Sequence, residues 1–242
     1  MKENERLSIG EAAEFLGVSV DTLRRWDASG KLKAQRSEGN HRYYFLADLK
    51  RFRADLDVIG QAWAASEQAP ELPDEYYCER ADRFTTRLER FGMLLLSAGT
   101  IPEKIVSLLI AVTGEIGDNS FAHNIGNWPD VPGIFFVYDI NQHLVVLADR
   151  GQGVLKTLRR VKPSLENDYD ALQTAFTEYL SGRSPERRGN GLKLVREISE
   201  ENPIGLYFQS GIAVVQIPKQ LGKFKIENTL RNIRGTFARI EF

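Results

Sequence analysis

The chain has 242 residues, 42% of them hydrophobic and 10% aromatic, enough for one large core or for a small domain beside a medium one. Its 32 Lys and Arg against 33 Asp and Glu leave a net charge of −1, which excludes a general polyelectrolyte role and makes any nucleic-acid surface local. The single cysteine, Cys78, forms no internal disulfide, and His41, His123 and His143 are too few for a histidine-based metal cluster. Apolar runs such as Met93 to Leu96 fall far short of the roughly 18 residues that span a bilayer. The charged start, Met1 to Glu5, leads into no apolar signal segment. The expectation is a cytoplasmic protein with no membrane partner.

Ser8 and Glu11 have capping-box spacing, and Ile9, Ala12, Ala13 and Leu16 follow as a helical stripe that Gly17 closes. Ser19 opens a second helix, Val20 to Ala28, with Val20, Leu23 and Trp26 apolar. Two short helices joined by about three residues predict a helix-turn-helix. After Gly30, Lys31 to Arg36 and His41 to Phe45 read as strands around the turn Ser37–Asn40, the outline of a wing. Leu46 to Leu56 then closes the unit as a helix.

Between Thr22 and Arg53, Arg24, Arg25, Lys31, Lys33, Arg36, Arg42, Lys50, Arg51 and Arg53 stand against only Asp27, Glu38 and Asp48. This local positive excess suits a duplex. Thr22, Arg24 and Arg25 are placed to meet base edges and phosphates, and Arg36, His41, Arg42 and Tyr43 to grip flanking backbone or the minor groove. The run TLRRWDASGKLKAQRSEGNHRYYFLADLKRF resembles the winged helix of the MerR type and its excisionase-like relatives, over residues 8–55. No sensor cysteines follow it, so metal sensing is not implied. The resemblance implies a homodimer on a palindromic duplex.

From Gly60 to Pro73 the composition turns to Ala, Gln and Glu with two prolines, which reads as a linker with room for a helical start. The expected division is 1–58, a linker at 59–74, and 75–242. In the last part, residues 75–99 read as a helix with Phe84, Leu88, Phe91 and Leu95 apolar. A second helix starts with Pro102 as its first residue and runs to about His123. Strands are expected over Gly133–Asp139, Leu144–Leu147, Gly205–Phe208, Ile212–Ile217 and Thr236–Phe242. The fold class is α+β: a winged helix-turn-helix, then a two-layer α/β sandwich with helices on one sheet face.

Three stretches of the second part carry chemistry. On the second helix, Glu115, Asn119 and His123 recur every four residues on one face, a donor set suited to water activation and hydrated Mg²⁺, or simply a solvated polar face. Asp149 ends an apolar strand and precedes Gly151 and Gly153, an arrangement that lets an acid read an exocyclic amine while backbone passes beneath a planar base; a plain turn has the same pattern. Arg187, Arg188, Gly189, Asn190, Gly191 and Leu192 open a helix in the manner of an anion site, without a P-loop's ending.

In order, Glu-x-x-x-Asn, Asp-x-Gly-x-Gly and Gly-x-Gly-Leu-x-Leu resemble the N, G1 and G2 boxes of the GHKL ATP-binding superfamily, over roughly 100–242. That group includes gyrase, MutL, histidine kinases and anti-sigma-factor kinases. The resemblance implies an ATP and Mg²⁺ site. Asn119 would hold the metal and Glu115 would be the base for water. Asp149 would read the adenine amine with Thr236 nearby, and Gly151 and Gly153 would begin a lid over 155–188. Gly189, Asn190, Gly191 and Leu192 would line the phosphates, with Arg187 and Arg188 in contact. No transducer domain follows in the chain, and the expected helices at 75–112 contain no phosphoacceptor histidine. The implied function is a DNA-binding transcriptional regulator with an ATP·Mg²⁺ switch. The alternatives are an anti-sigma-like serine/threonine kinase, a slow ATPase, or an antitoxin-like adaptor that holds a protein partner.

Overall fold

The computed structural model describes residues 5–16, 18–30, 32–37, 39–54, 56–178, 191–220 and 222–242, with backbone alone at 50, 51, 53 and 54. Its contacts divide the chain into two units, residues 1–59 and 60–242.

In the first unit, β1 (Arg6–Ser8) leads into α1 (Ile9–Leu16). The capping box forms: Ser8 N–H donates to the Glu11 carboxylate at 2.7 Å, and Glu11 N–H donates to Ser8 Oγ at 3.3 Å. Ala12, Ala13 and Leu16 face inward. Ser19 caps α2 (Val20–Ser29) by accepting from Thr22 N–H, and Gly30, at φ +77°, ends it in the left-handed conformation. The wing is β2 (Gln35–Arg36) against β3 (Arg42–Phe45), turned through Asn40 at φ +60°. Strand β1 was not foreseen; it pairs antiparallel with β3 and completes a three-stranded sheet. Helix α3 (Leu46–Ala54) packs on α1, and Phe52 meets Trp26 at 5.0 Å between ring centroids.

The second unit is built on an antiparallel sheet in the order β4-β5-β6-β8-β7, from β4 (Tyr77–Cys78), β5 (Ile134–Asp139), β6 (Leu144–Asp149), β7 (Gly205–Ile217) and β8 (Lys225–Glu241). One face carries Ile134, Phe136, Val145, Leu147, Leu206, Phe208, Ala238 and Ile240. Helices α5 (Ala81–Ala98), α6 (Glu103–Asn124), α8 (Asp168–Thr177) and α9 (Gly191–Glu201) bury Phe84, Phe91, Val112, Phe176 and Val195 against it. Pro102 is the N-cap of α6, at ψ 140°, rather than its first helical residue. By length and mean hydropathy α6 could cross a membrane, but its Val106, Leu109, Val112 and Ile116 are buried in this core.

The expected linker and the two-layer arrangement both need correction. Helix α4 (Leu56–Ala65) crosses the unit boundary, and its second half covers the other sheet face. A Cβ on Gly60 would lie 3.1–3.2 Å from Val146, Phe135 and Phe237, so the helix backbone rests directly on the sheet. Trp63 and Ala64 are buried beside it, and Tyr76 meets Phe135 edge-on at 5.8 Å. The physical reason lies in the strands: β5 and β6 are apolar on both faces, and a sheet apolar on both faces has to be covered twice.

The two stretches expected at 205–208 and 212–217 are one strand, β7. Its ladder with β8 is irregular at Ser210, Gly211 and Ala213, where Gly211 takes φ +59° and Asp168 Oδ2 accepts from Ile212 N–H at 3.1 Å. Much of the expected lid is core material. Helix α7 (Gly153–Leu158), α8 and the segment between them place Leu158, Leu165, Ala171, Leu172 and Phe176 in packed clusters.

Candidate functional site

The first unit presents the basic helix α2. Leu23 and Trp26 are buried, while Asp21, Arg24, Arg25 and Ala28 are exposed. Thr22 departs from expectation: it is fully buried, its Oγ1 lies 2.9 Å from Ser19 Oγ, and its amide makes the cap, so it supports the helix start instead of meeting bases. Arg24 pairs with Asp21 at 2.7 Å on the open surface. His41 is exposed on the wing. Tyr43 and Phe45 share a face under the Arg6 guanidinium, which lies 4.9 Å from the Tyr43 ring centre, while Tyr44 points inward to the Leu23 carbonyl.

Asp27 was not assigned a role, yet it fastens the wing. Its carboxylate accepts from Arg42 Nε at 2.7 Å, Arg36 at 3.1 Å and Ala34 N–H at 3.1 Å. Arg36 and Arg42, expected on the duplex, are here tied to α2. The Arg42 hydrogen bond holds the Asp27 carboxyl below its ordinary range. Its stabilisation is therefore present above the unfolded carboxyl pKa of about 3.9 and is lost as pH falls through the lower folded value. Asp27→Ala should cost the first unit about 1 to 2 kcal/mol, read by urea denaturation near neutral pH, and the difference should shrink in acid. An unchanged midpoint would show that the wing holds without it.

In the second unit the three chemical stretches meet. A Cβ built on Gly191, the first residue of α9, would stand 2.5 Å from Glu115 Oε2 and 3.0 Å from Asn119 Nδ2. Only glycine lets this helix start approach the polar face of α6 so closely. One residue beyond Asn119, Ser120 Oγ donates to Asp149 Oδ2 at 2.8 Å. Asp149 Oδ2 also accepts from Thr236 Oγ1, and Oδ1 accepts from Gly151 N–H at 2.7 Å. The β6–β8 register runs to Ala148 opposite Phe237, which brings Thr236 beside Asp149. A Cβ on Gly235 would overlap the Asp149 carboxylate and come within 2.6 Å of Gly151 N, and one on Gly151 would overlap the Asn124 amide. Gly153, at φ +75°, starts α7, whose Val154 N–H donates to Ser210 Oγ at 2.9 Å.

An acid at a strand end, an amide and a carboxylate on a helix face, and a glycine-started helix thus neighbour one another within one unit. Asp149 is 1% exposed, and burial raises its carboxyl pKa against the hydrogen bonds from Thr236, Gly151 and Ser120 that lower it. Glu115 and Asn119 are half-buried, and His123 reaches the same region through its carbonyl, which accepts from Gln152 at 3.0 Å. Leu192 packs against the core, so only its backbone belongs to the helix start. Arg187, Arg188, Gly189 and Asn190 lie outside the described residues, as do Gly17, Lys31 and Glu38. The sequence alone assigns no role to Ser120 or Asn124. The spacing of Ile116, Ser120 and Asn124, one face of α6, was the available signal for both.

Residues 8–44 match the family described as MerR family regulatory protein. A 60-residue similarity, 24% of the chain, is 45% identical to Type II methyltransferase M.Eco47II of Escherichia coli, and it covers 14% of that protein. With α1, α2 and the wing in place, the N-terminal unit carries a MerR-family helix-turn-helix, a DNA-binding module.

Proposed function

We propose that the chain is a DNA-binding transcriptional regulator whose second unit is a GHKL-type module that binds ATP with Mg²⁺ and acts as a conformational switch. One observation carries the reading: Gly191 stands against Glu115 and Asn119, the neighbouring Ser120 is bonded to Asp149 beside Thr236, and Gly191 and Gly235 sit where a Cβ would overlap these groups. Asp149 would accept from the adenine amine, with Ser120 and Thr236 holding its carboxylate in place. The α9 N-terminus would receive phosphate oxygens through its backbone N–H groups. Asn119 would supply an oxygen ligand to Mg²⁺, whose role is to offset phosphate charge. Arg25 on α2 would serve the duplex, with two copies of the chain on a palindromic site.

Calorimetry with ATP, with and without Mg²⁺, tests the nucleotide half. Saturable binding strengthened by Mg²⁺ is expected, and no heat of binding at millimolar ATP would end the proposal. For the duplex half, Arg25→Ala should weaken DNA binding about tenfold and reduce the salt slope by about one charge. Retention of the wild-type slope would remove Arg25 from the interface. A second reading, slow hydrolysis, is favoured by Glu115 lying beside Asn119 and the start of α9. Phosphate release that disappears in Glu115→Gln while ATP binding persists would establish it.

A further inference from the structure

We propose that Arg150 and Arg234 couple occupancy of the Asp149 site to helix α4, and through it to the DNA-binding unit; the inference rests on the nucleotide-binding reading above. Arg150 follows Asp149 directly, yet its side chain turns away from that site and is wholly buried. Its Nε donates to Asp130 Oδ2 at 2.9 Å, and its terminal nitrogens donate to the Trp63 carbonyl and, at 3.2 Å, to the Glu67 carbonyl. Arg234 precedes Gly235 and Thr236, the other residues around the Asp149 carboxylate. It donates to the same Asp130 oxygen at 3.0 Å and reaches the Glu67 carbonyl at 3.5 Å. Both strands that supply the base-reading groups therefore continue into a guanidinium that holds Asp130 and the carbonyl end of α4.

A cation at a helix C-terminus satisfies carbonyls that have no partner in the helix. The guanidinium fork is rigid, and Arg150 has its donors engaged on three acceptors, so it cannot shift without moving Asp130 or α4. Asp149 and Gly151 are joined through the hydrogen bond that spans Arg150, so a base drawn onto Asp149 acts on the backbone that carries this fork. Helix α4 continues across the boundary into the first unit. A ligand that prefers one position of this clamp biases the helix by its difference in affinity between the two positions.

The test measures DNA affinity by fluorescence anisotropy, on a duplex enriched by nucleotide-free protein from a randomised pool, with and without ATP and Mg²⁺. In the wild type the two affinities should differ by about fivefold or more. Arg234→Gln and Arg234→Lys keep the buried Arg150. They should bind ATP by calorimetry, and DNA without nucleotide, within about threefold of wild type, while the ATP-dependent ratio falls to about one. Amide hydrogen exchange over residues 60–67 should slow with ATP in the wild type and not in the variants. Variants that retain the wild-type ratio overturn the coupling. Wild-type protein that binds ATP with a ratio of one also overturns it and leaves the nucleotide reading standing; wild-type protein that binds no ATP removes both.

Discussion

Asp149→Asn should lose about 30- to 150-fold in affinity for ATP, corresponding to about 2 to 3 kcal/mol for a charged hydrogen bond in a dry site. The carboxylate receives donors from Ser120, Thr236 and Gly151, so it is organised as an acceptor. An amide at that position brings two N–H groups into a ring of donors and removes the charge that the adenine amine would meet. The wild type should show a matching pH dependence. Burial raises the Asp149 pKa, so the acceptor form is lost at a higher pH than for an ordinary carboxylate, and ATP binding weakens as pH falls through that raised value. For folding the sign is opposite. The contribution of this group to stability is complete below the unfolded carboxyl pKa and is lost as pH rises through the folded one. Calorimetry of both proteins across mildly acidic to neutral pH checks this. Equal affinities for Asn and Asp at neutral pH would place the base elsewhere.

Arg150→Ala should destabilise the second unit by about 3 to 5 kcal/mol, the penalty for breaking a buried ion pair by removing one partner. It strips Asp130 of one of its two cations, removes the Arg150 donor from the Trp63 carbonyl in the last turn of α4, and leaves the Glu67 carbonyl just beyond it with the longer contact from Arg234. Arg234 shares the same carboxylate but is 37% exposed, and Arg234→Ala should cost under about 1 kcal/mol, as solvent-screened pairs do. Thermal unfolding followed by tryptophan fluorescence separates the two: a fall of about 10 °C is expected for Arg150→Ala and little for Arg234→Ala. Similar shifts for both would mean that Asp130, and not the α4 carbonyls, sets the cost.

Local signals were legible in the sequence and distant pairings were not. Ser8–Glu11 and Ser19 define caps within four residues of what they cap, and the structure places both helix starts there. Strand β1 is three residues long and exists through pairing with β3 some 36 residues away, which no short window contains. Asp27 reads as one acid among nine basic residues; that it gathers Arg36 and Arg42 depends on the wing folding back over α2. Residues 60–73 look solvated because Ala, Gln and Glu dilute Trp63. The signal that they cover something lay in IFFVYD and LVVLAD, whose two apolar faces require a second layer. Glu115, Asn119, Asp149 and Gly191 were chosen for their chemistry, but Ser120, Gly235 and Arg150 gain meaning only when β6, β8 and α6 are side by side.

The two ends of the large sheet differ in what they offer a stray polypeptide. At one end β4 spans two residues, too short to template another chain. At the other, β7 runs for 13 residues with β8 on one side, a length that invites intermolecular strand addition. The irregularity at Gly211 and the Asp168 carboxylate on the Ile212 amide interrupt that border near its middle. Among the described residues, self-association through this margin is thus opposed by one acidic side chain and one kink, independently of anything bound near Asp149.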